Sequence, residues 1–195
     1  MPTIISHPAV SLAIAGVGGK RNVSMRLFIA AAVVSILPDI DVIGYKLGIP
    51  YSHWLGHRGF FHSIVFAFLI GFGGALISSW FLKNRITVFL VLFLSTVSHG
   101  LLDAVTDGGL GIAFFSPISN HRYFFPWHPI AVSPLSIDRF LSGRGISVLK
   151  SELIWIWFPF LSLGILGILS RWLLRWITIR SNGRHEKHAT AEIKH

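Results

Sequence analysis

The chain has 195 residues, of which 52% are hydrophobic and only 13% are charged. That charged share is about half of what soluble domains carry, so the composition excludes a disordered protein and disfavours an ordinary soluble domain. Lys and Arg exceed Asp and Glu by 17 to 8, a net charge of +9, but the bases are spread thinly through an apolar chain. This pattern favours membrane lipids as the partner, and no nucleic acid is expected.

Five apolar stretches follow one another along the chain: 9–17, 27–37, 60–82, 86–105 and 153–177. The last three reach about 20 residues, which is enough for a helix to cross a ~30 Å hydrocarbon core. The first two are short for a full crossing. The sequence therefore predicts an all-α fold, a polytopic membrane helical bundle with about five membrane-embedded helices within residues 1–179.

Basic residues concentrate between the first two stretches, between the third and fourth, and after the fifth. They are Lys20, Arg21 and Arg26, then Lys83 and Arg85, then Arg171, Arg175, Arg180, Arg184, Lys187 and Lys194. If every stretch crosses the membrane, these 11 of the 17 bases share one side, which the positive-inside rule makes cytoplasmic. Residues 180–195 are then a basic cytoplasmic tail, predicted to be disordered, and residues 106–151 are a long loop or lid on the opposite face.

Acidic and histidine residues gather at the ends of the apolar stretches. Four of the eight acidic residues lie there together with four histidines: Asp39, Asp41, Asp103, Asp107, His7, His57, His62 and His99. A carboxylate near the membrane is energetically costly and usually has a partner or a function. With alternating crossings, four stretch ends bring all of these residues except Asp107 to one depth on the non-cytoplasmic face, where we expect them to meet.

The spacing of these residues fits metal binding. His99 and Asp103 are four positions apart, which places both side chains on one face of a helix. The spacing of His57 and His62 suits a loop residue followed by a residue in the first turn of a helix.

The ligand types indicate which metals the site would take. Asp39 and Asp41 follow Pro38, and they would point the same way in an extended turn. The chain has no cysteine, so a metal would be held by imidazole nitrogen and carboxylate oxygen. That set suits zinc in a catalytic site, with manganese or iron as alternatives.

Other interpretations of the same residues stay open. A single histidine on an apolar helix is most often a hydrogen-bonded core residue, and Asp39 or Asp41 could pair with Arg58. An intramembrane Asp/His set also marks ion- or proton-coupled transporters, and a closed site would hold a structural metal without catalysis. The aromatic segment 114–127 is more typical of an interfacial belt than of a substrate pocket.

Three motifs, which follow an N-terminal histidine, carry a family resemblance. They are Leu37-Pro38-Asp39-Ile40-Asp41, Gly56-His57-Arg58-Gly59-Phe60-Phe61-His62-Ser63 and Ser98-His99-Gly100-Leu101-Leu102-Asp103. In this order they resemble the YdjM-type bacterial inner-membrane proteins, described as membrane-bound metal-dependent hydrolases, over about residues 5–130. Two positions depart from the pattern: Val42, where the family often has His, and Phe61, where it often has Thr.

The resemblance implies a bacterial inner-membrane location. It also implies a remote similarity to zinc-dependent phospholipase C and the related single-strand nucleases, helical proteins that hold a zinc cluster. By that similarity the first metal ligands are His7, Asp39, His62, His99 and Asp103, with Asp41 and His57 next.

These observations lead to the hypothesis of a metal-dependent phosphoesterase that acts on a phospholipid or lipid-linked phosphate at the non-cytoplasmic face. Zinc would activate water and polarise a phosphoryl oxygen. Asp41 would be the general base, and the Arg58 guanidinium would clamp the phosphate. Further candidate substrate-binding residues are Asp107, His121, Arg122 and Trp127.

Overall fold

The computed structural model describes residues 1–134 and 137–192. Its α-helices are α1 (Pro8–Asn22), α2 (Met25–Ile36), α3 (Ile43–Lys46), α4 (Ile64–Leu76), α5 (Arg85–Ala104), α6 (Ile137–Arg139), α7 (Gly145–Glu152) and α8 (Phe158–Glu192). Short 3-10 helices cover Leu37–Val42, Phe60–His62 and Ser78–Phe81, and π-helical turns at Phe140–Arg144 and Leu153–Trp157 join α6, α7 and α8. Regular structure in the described part is helical, with two isolated β-bridges, which confirms the all-α prediction.

Local sequence signals explain where several helices begin. The side chains of Ser24, Ser63 and Asn84 each cap a helix by accepting a hydrogen bond from the backbone N–H three residues later. Pro8 occupies the first turn of α1, where its missing N–H costs nothing. Pro38 does the same at the start of the 3-10 helix that follows α2.

The helices pack as a bundle in which α5 is central. Helix α5 packs against α4 and α2, and α1 packs against α2 and α8. Leu27 of α2 and Val88 of α5 are fully buried in the apolar core between these helices. Helices α1 and α8 approach closely at Gly16, where a Cβ would lie 2.6 Å from the Cα of Gly164, so a small residue is required for this contact.

Among the described residues, two segments are long and apolar enough to cross a membrane: α5 itself, and the continuous helical run Gly145–Ile179. Few residues of the second segment are buried inside the bundle, and most of its residues are half-buried or exposed. The five principal helices α1, α2, α4, α5 and α8 match the predicted count.

The third predicted stretch, residues 60–82, is not one long helix. Helix α4 covers only Ile64–Leu76, with a 3-10 helix on each side. At its start Ser63 has an extended backbone and caps the helix, and at its end Ile77 leaves the helical conformation. The prediction of one helix of about 20 residues here was therefore wrong, since α4 itself has 13 residues and rises only ~20 Å.

The long predicted loop is irregular only in its first part. Residues 106–134 lack regular elements, whereas Ile137 begins the helical run that continues into α8. The backbone of α8 is helical through Glu192, and residues 193–195 lie outside the described residues. The predicted disordered tail at 180–195 stays a prediction.

The three basic segments meet at one end of the bundle. Lys83, after α4, donates from Nζ to the carbonyl oxygens of Lys20 and Arg21 at 3.1 and 2.7 Å. Arg171 of α8 donates to the carbonyl oxygen of Val17 in α1. This end is opposite the one where α1 begins and α5 finishes.

Candidate metal centre

The ends of four elements bring the predicted Asp and His residues together. His7 precedes α1, Asp39 and Asp41 lie in the 3-10 helix after α2, His57 and His62 precede α4, and His99 and Asp103 occupy the last turns of α5. Every one of these side chains is buried. The predicted convergence is therefore confirmed, although Asp39 and Asp41 lie in a 3-10 helix and not in an extended turn.

Four of these residues offer ligand atoms for one ion: Asp39, His62, His99 and Asp103. His99 Nε2 lies 3.1 Å from His62 Nε2 and 3.2 Å from Asp39 Oδ1. His62 Nε2 lies 3.5 Å from Asp103 Oδ2 and 3.7 Å from Asp39 Oδ1. A tetrahedron with bonds of about 2.0–2.1 Å has edges of about 3.3 Å, so these separations are those of ligands around a zinc-sized ion.

The outer nitrogen of His99 fixes the tautomer of its ring. Nδ1 lies 2.8 Å from the carbonyl oxygen of Ser35, which can only accept, so Nδ1 carries the proton. The Nε2 lone pair of His99 then points into the cluster. A hydrogen bond of this kind on the nitrogen away from the ion is the usual way in which proteins orient a metal-binding histidine.

Asp41 lies behind His62. Its Oδ2 is 3.1 Å from His62 Nδ1, a close contact that is not a well-aligned hydrogen bond, and it accepts from the backbone N–H of Arg58 at 3.1 Å. Its Oδ1 is 2.6 Å from His57 Nδ1. Burial alone would raise the pKa of Asp41, but the bond to His57 and the close contact with His62 outweigh burial and lower it. With both oxygens engaged, Asp41 is placed to orient His62. Asp41, His57 and His62 also offer ligand atoms for a second ion, as predicted for Asp41 and His57. The role of Asp41 as general base stays a prediction.

Three neighbouring carboxylates favour the positively charged form of His62. Burial alone would lower its pKa, but Asp103, Asp39 and Asp41 raise it well above its usual range. Because metal ions and protons compete for an imidazole nitrogen, a position that holds a proton this firmly is also one that favours a cation.

His7 lies beside the four-residue group. Its ring stacks on that of His99, with centroids 3.7 Å apart and planes 12° from parallel, and its Nε2 is 3.9 Å from Asp103 Oδ1. Burial, helped by the neighbouring His99, lowers the pKa of His7 to about 3. The ring is therefore neutral, as a metal ligand must be.

Arg58 has a structural role in this site. Its Nη1 donates to the Gly108 carbonyl oxygen at 2.6 Å, its Nη2 donates to Thr106 Oγ1 at 3.1 Å, and its Nε lies 3.3 Å from Asp103 Oδ2. The side chain is 1% exposed. These contacts fix the guanidinium within the loop after α5, so it is not placed to clamp a substrate phosphate, and its acidic partner is Asp103 and not Asp39 or Asp41.

Several buried polar atoms of the cluster make no hydrogen bond in the described structure. They are both ring nitrogens of His7, both carboxylate oxygens of Asp39 and of Asp103, Nε of Arg58 and Nδ1 of His62. Buried polar groups without partners are rare, and an ion or water at the site is the ordinary explanation. The donor set fits a divalent cation, because the oxygens belong to carboxylates and the histidine nitrogens to imidazole rings.

The other predicted substrate-binding residues lie in the loop around the cluster. Asp107 Oδ1 accepts from the Val132 N–H at 2.7 Å, and Arg122 donates to the carbonyl oxygens of Tyr51 and His57 at 2.8 and 3.0 Å. Both side chains hold loop segments together.

Two exposed aromatic contacts complete this picture. The ring of His121 lies 4.6 Å from that of Tyr123, and Trp127 packs edge-on against Trp155 at 4.7 Å. The structure therefore gathers the metal-type residues and leaves His121 and Trp127 at the surface.

Two features of the site escaped the sequence analysis. The Ser35 carbonyl that orients His99 is a backbone group, which no side-chain motif reveals. Gly100 lets the turn before α4 approach α5, since a Cβ there would lie 2.8 Å from the carbonyl oxygen of His62. The sequence did contain one signal of this close approach, since Gly100 directly follows the predicted ligand His99 in an apolar helix.

Comparisons with known proteins agree with the motif resemblance. The sequence profile of the YdjM inner membrane protein family matches residues 1–177. The chain is 43% identical over 178 residues to the inner membrane protein YbcI of Escherichia coli (strain K12), which covers 90% of this chain and 98% of that protein. No solved structure matches the chain. The predicted family and the bacterial inner-membrane location are confirmed.

Proposed function

This chain belongs to the YdjM inner membrane protein family, and we propose that it is a membrane-bound metal-dependent hydrolase that acts on a phospholipid or lipid-linked phosphate. The observation that carries the proposal is the buried group of Asp39, His62, His99 and Asp103, whose ligand atoms lie within 4.8 Å of one another. The carboxylates of two of them have no hydrogen-bond partner among the described residues. Zinc is the preferred ion, with manganese and iron as alternatives.

A divalent cation held by these residues would supply Lewis acidity toward a phosphoryl oxygen and activate water for attack on phosphorus. The protein contributes positioning. Asp41 orients His62, the Ser35 carbonyl orients His99, and Arg58 offsets the charge of Asp103.

A general base must accept a proton in reach of the attacking water. Asp39 is a better candidate than Asp41, since neither of its oxygens has a hydrogen-bond partner among the described residues, whereas those of Asp41 bond to His57 and to the Arg58 N–H. Asp103, by contrast, is fully buried against the guanidinium. We therefore assign the proton-accepting role to Asp39.

The lipid nature of the substrate is supported by the surroundings of the cluster. The loop that covers it exposes large aromatic side chains, Phe115 and Trp127 among them, at 50% and 57% of their surface. Aromatic side chains of this kind favour the membrane–water interface. We propose that all five principal helices are embedded in the membrane, with the cluster at the non-cytoplasmic face and the basic end and C-terminus in the cytoplasm.

Metal analysis of the detergent-purified protein tests this proposal. We expect bound zinc in the wild-type protein and its loss in His99→Ala/Asp103→Ala. His121→Ala/Asp107→Ala removes the same residue types outside the cluster and is expected to retain the metal. Hydrolysis of phosphatidic acid and of a lipid pyrophosphate should depend on the metal, stop with a chelator and fall in Asp39→Asn. Metal content that the first double variant leaves unchanged would refute the site.

A structural metal is the second candidate function, and full enclosure of the site favours it. Four protein ligands with no open position are typical of structural zinc, whereas catalytic zinc keeps a position for water. This candidate predicts that Asp39→Asn lowers metal content and thermal stability together and that no lipid phosphate is hydrolysed. A proton or ion relay would instead show pH-coupled flux in proteoliposomes.

A further inference from the structure

A groove lies between α1, α2 and α8, away from the metal centre. Its volume is about 770 Å³, within the range of ligand-binding cavities. Apolar side chains line most of it, including Leu12, Phe28, Phe160, Ile165 and Ile168. Glycines on α1 and α8 form its floor, because the two helices touch there at Gly16 and Gly164.

Positive charge marks one end of this groove. Lys20 and Arg171 both line it at the basic end of the bundle. Arg171 is held in place by its hydrogen bond to the Val17 carbonyl oxygen, and Lys20 is exposed. Among the described residues, no carboxylate lies within ion-pair distance of Lys20 or Arg171.

The length of the groove matches one membrane leaflet. On α8 its lining runs from Phe160 to Arg171, which is about 17 Å of helix rise. Half of a ~30 Å hydrocarbon core is of the same length. The charged end therefore coincides with the headgroup level and the apolar part with the depth of an acyl chain.

We propose that this groove binds one anionic phospholipid of the leaflet at the basic end. An acyl chain lies along the apolar lining, and the headgroup phosphate pairs with Lys20 and Arg171. The site differs from the proposed catalytic centre in position and chemistry, and it does not depend on hydrolase activity. Helix α8 packs chiefly against α1. A lipid bound in the groove would also connect α8 to α2.

Native mass spectrometry of the detergent-purified protein tests the proposal, with phosphatidylglycerol or phosphatidylcholine added to the micelles. We expect one phosphatidylglycerol to be retained in preference to phosphatidylcholine. Lys20→Gln/Arg171→Gln should weaken its binding about 30-fold, the effect of two interfacial bases. Lys46→Gln/Arg85→Gln removes the same charge outside the groove and should bind as the wild-type protein does.

A second variant separates the acyl-chain contact from the charge. Ile168→Trp fills the groove and leaves both bases in place, and it should release phosphatidylglycerol. Lys20→Gln alone changes an exposed side chain, so it gives a measurable weakening even if the double variant does not fold. Equal retention of both lipids, equal losses in the two double variants, or unchanged binding in Ile168→Trp would overturn the proposal.

Discussion

Replacement of Asp41 by Asn tests whether the carboxylate behind His62 controls metal affinity. Asp41 serves three neighbours with two oxygens: His57 Nδ1 at 2.6 Å, His62 Nδ1 at 3.1 Å and the Arg58 N–H at 3.1 Å. Asparagine has nearly the same shape but only one acceptor oxygen, and it carries no charge. If that oxygen stays near His62 and Arg58, the amide NH₂ faces His57, and the negative charge beside His62 is lost.

The expected effect is a loss of metal affinity with the fold intact. Substitution of a residue that orients a metal-binding histidine costs about 10- to 100-fold in affinity, or about 1.4–2.7 kcal/mol. Asp41→Asn should lie near the lower value because it retains one acceptor, and Asp41→Ala should lie near the upper value. Competition with a chromophoric zinc chelator in detergent measures both affinities.

Asp107→Asn is the matched control for this experiment. Its carboxylate is exposed and accepts a hydrogen bond from the Val132 N–H, away from the ligand atoms. Zinc affinity in this variant should equal that of the wild-type protein. Should Asp41→Asn bind zinc as tightly as Asp107→Asn does, the reasoning that joins Asp41 to the metal through His62 is refuted.

The remaining predictions concern close packing, charge balance and metal removal. Gly100→Ala should lower both thermal stability and zinc content, because its Cβ would lie 2.8 Å from the His62 carbonyl oxygen, whereas Gly73→Ala meets no atom within 4 Å and should retain both. Arg58→Met leaves the buried Asp103 without its guanidinium, and detergent unfolding titrations of the metal-free protein should show a loss of about 3–5 kcal/mol; a loss typical of a surface substitution would contradict the buried pair. Chelation of zinc should lower the melting temperature, since zinc at 100 times its Kd stabilises the folded state by about 2.7 kcal/mol; an unchanged melting temperature would show that the cluster binds no metal.

The position of the site was predictable because helix ends alternate between the two faces of a bundle. That rule placed His7, Asp39, His62, His99 and Asp103 together from their order in the chain, and the structure confirms it. The prediction that His99 and Asp103, four positions apart, share one helix is also confirmed, since both lie in the last turns of α5. These inferences depend on periodicity and order, which a sequence displays directly.

The roles within the site were less predictable, because they depend on which atoms compete for the same partner. The guanidinium of Arg58 has the chemistry of a phosphate-binding group, but folding places it against Asp103, Thr106 and Gly108. Asp41 has the chemistry of a general base, but its oxygens face neighbours that no motif spacing reveals. Likewise the end of α4 at Leu76 could not be predicted, because the apolar stretch 60–82 contains no proline.

The candidate metal centre lies at one end of the bundle and the proposed lipid groove extends to the other, and the physics of packing in lipid suggests what each would contribute. Lipid tails are as apolar as leucine, so apolar helix surfaces gain little by leaving lipid for one another. Close contact then requires small residues or polar groups, as at Gly16 and Gly164. At the other end, α1, α2, α4 and α5 meet through the buried Asp and His side chains. An ion bound there would join four helix ends and offset the cost of burying their carboxylates, so the residues proposed for chemistry would also hold the bundle together.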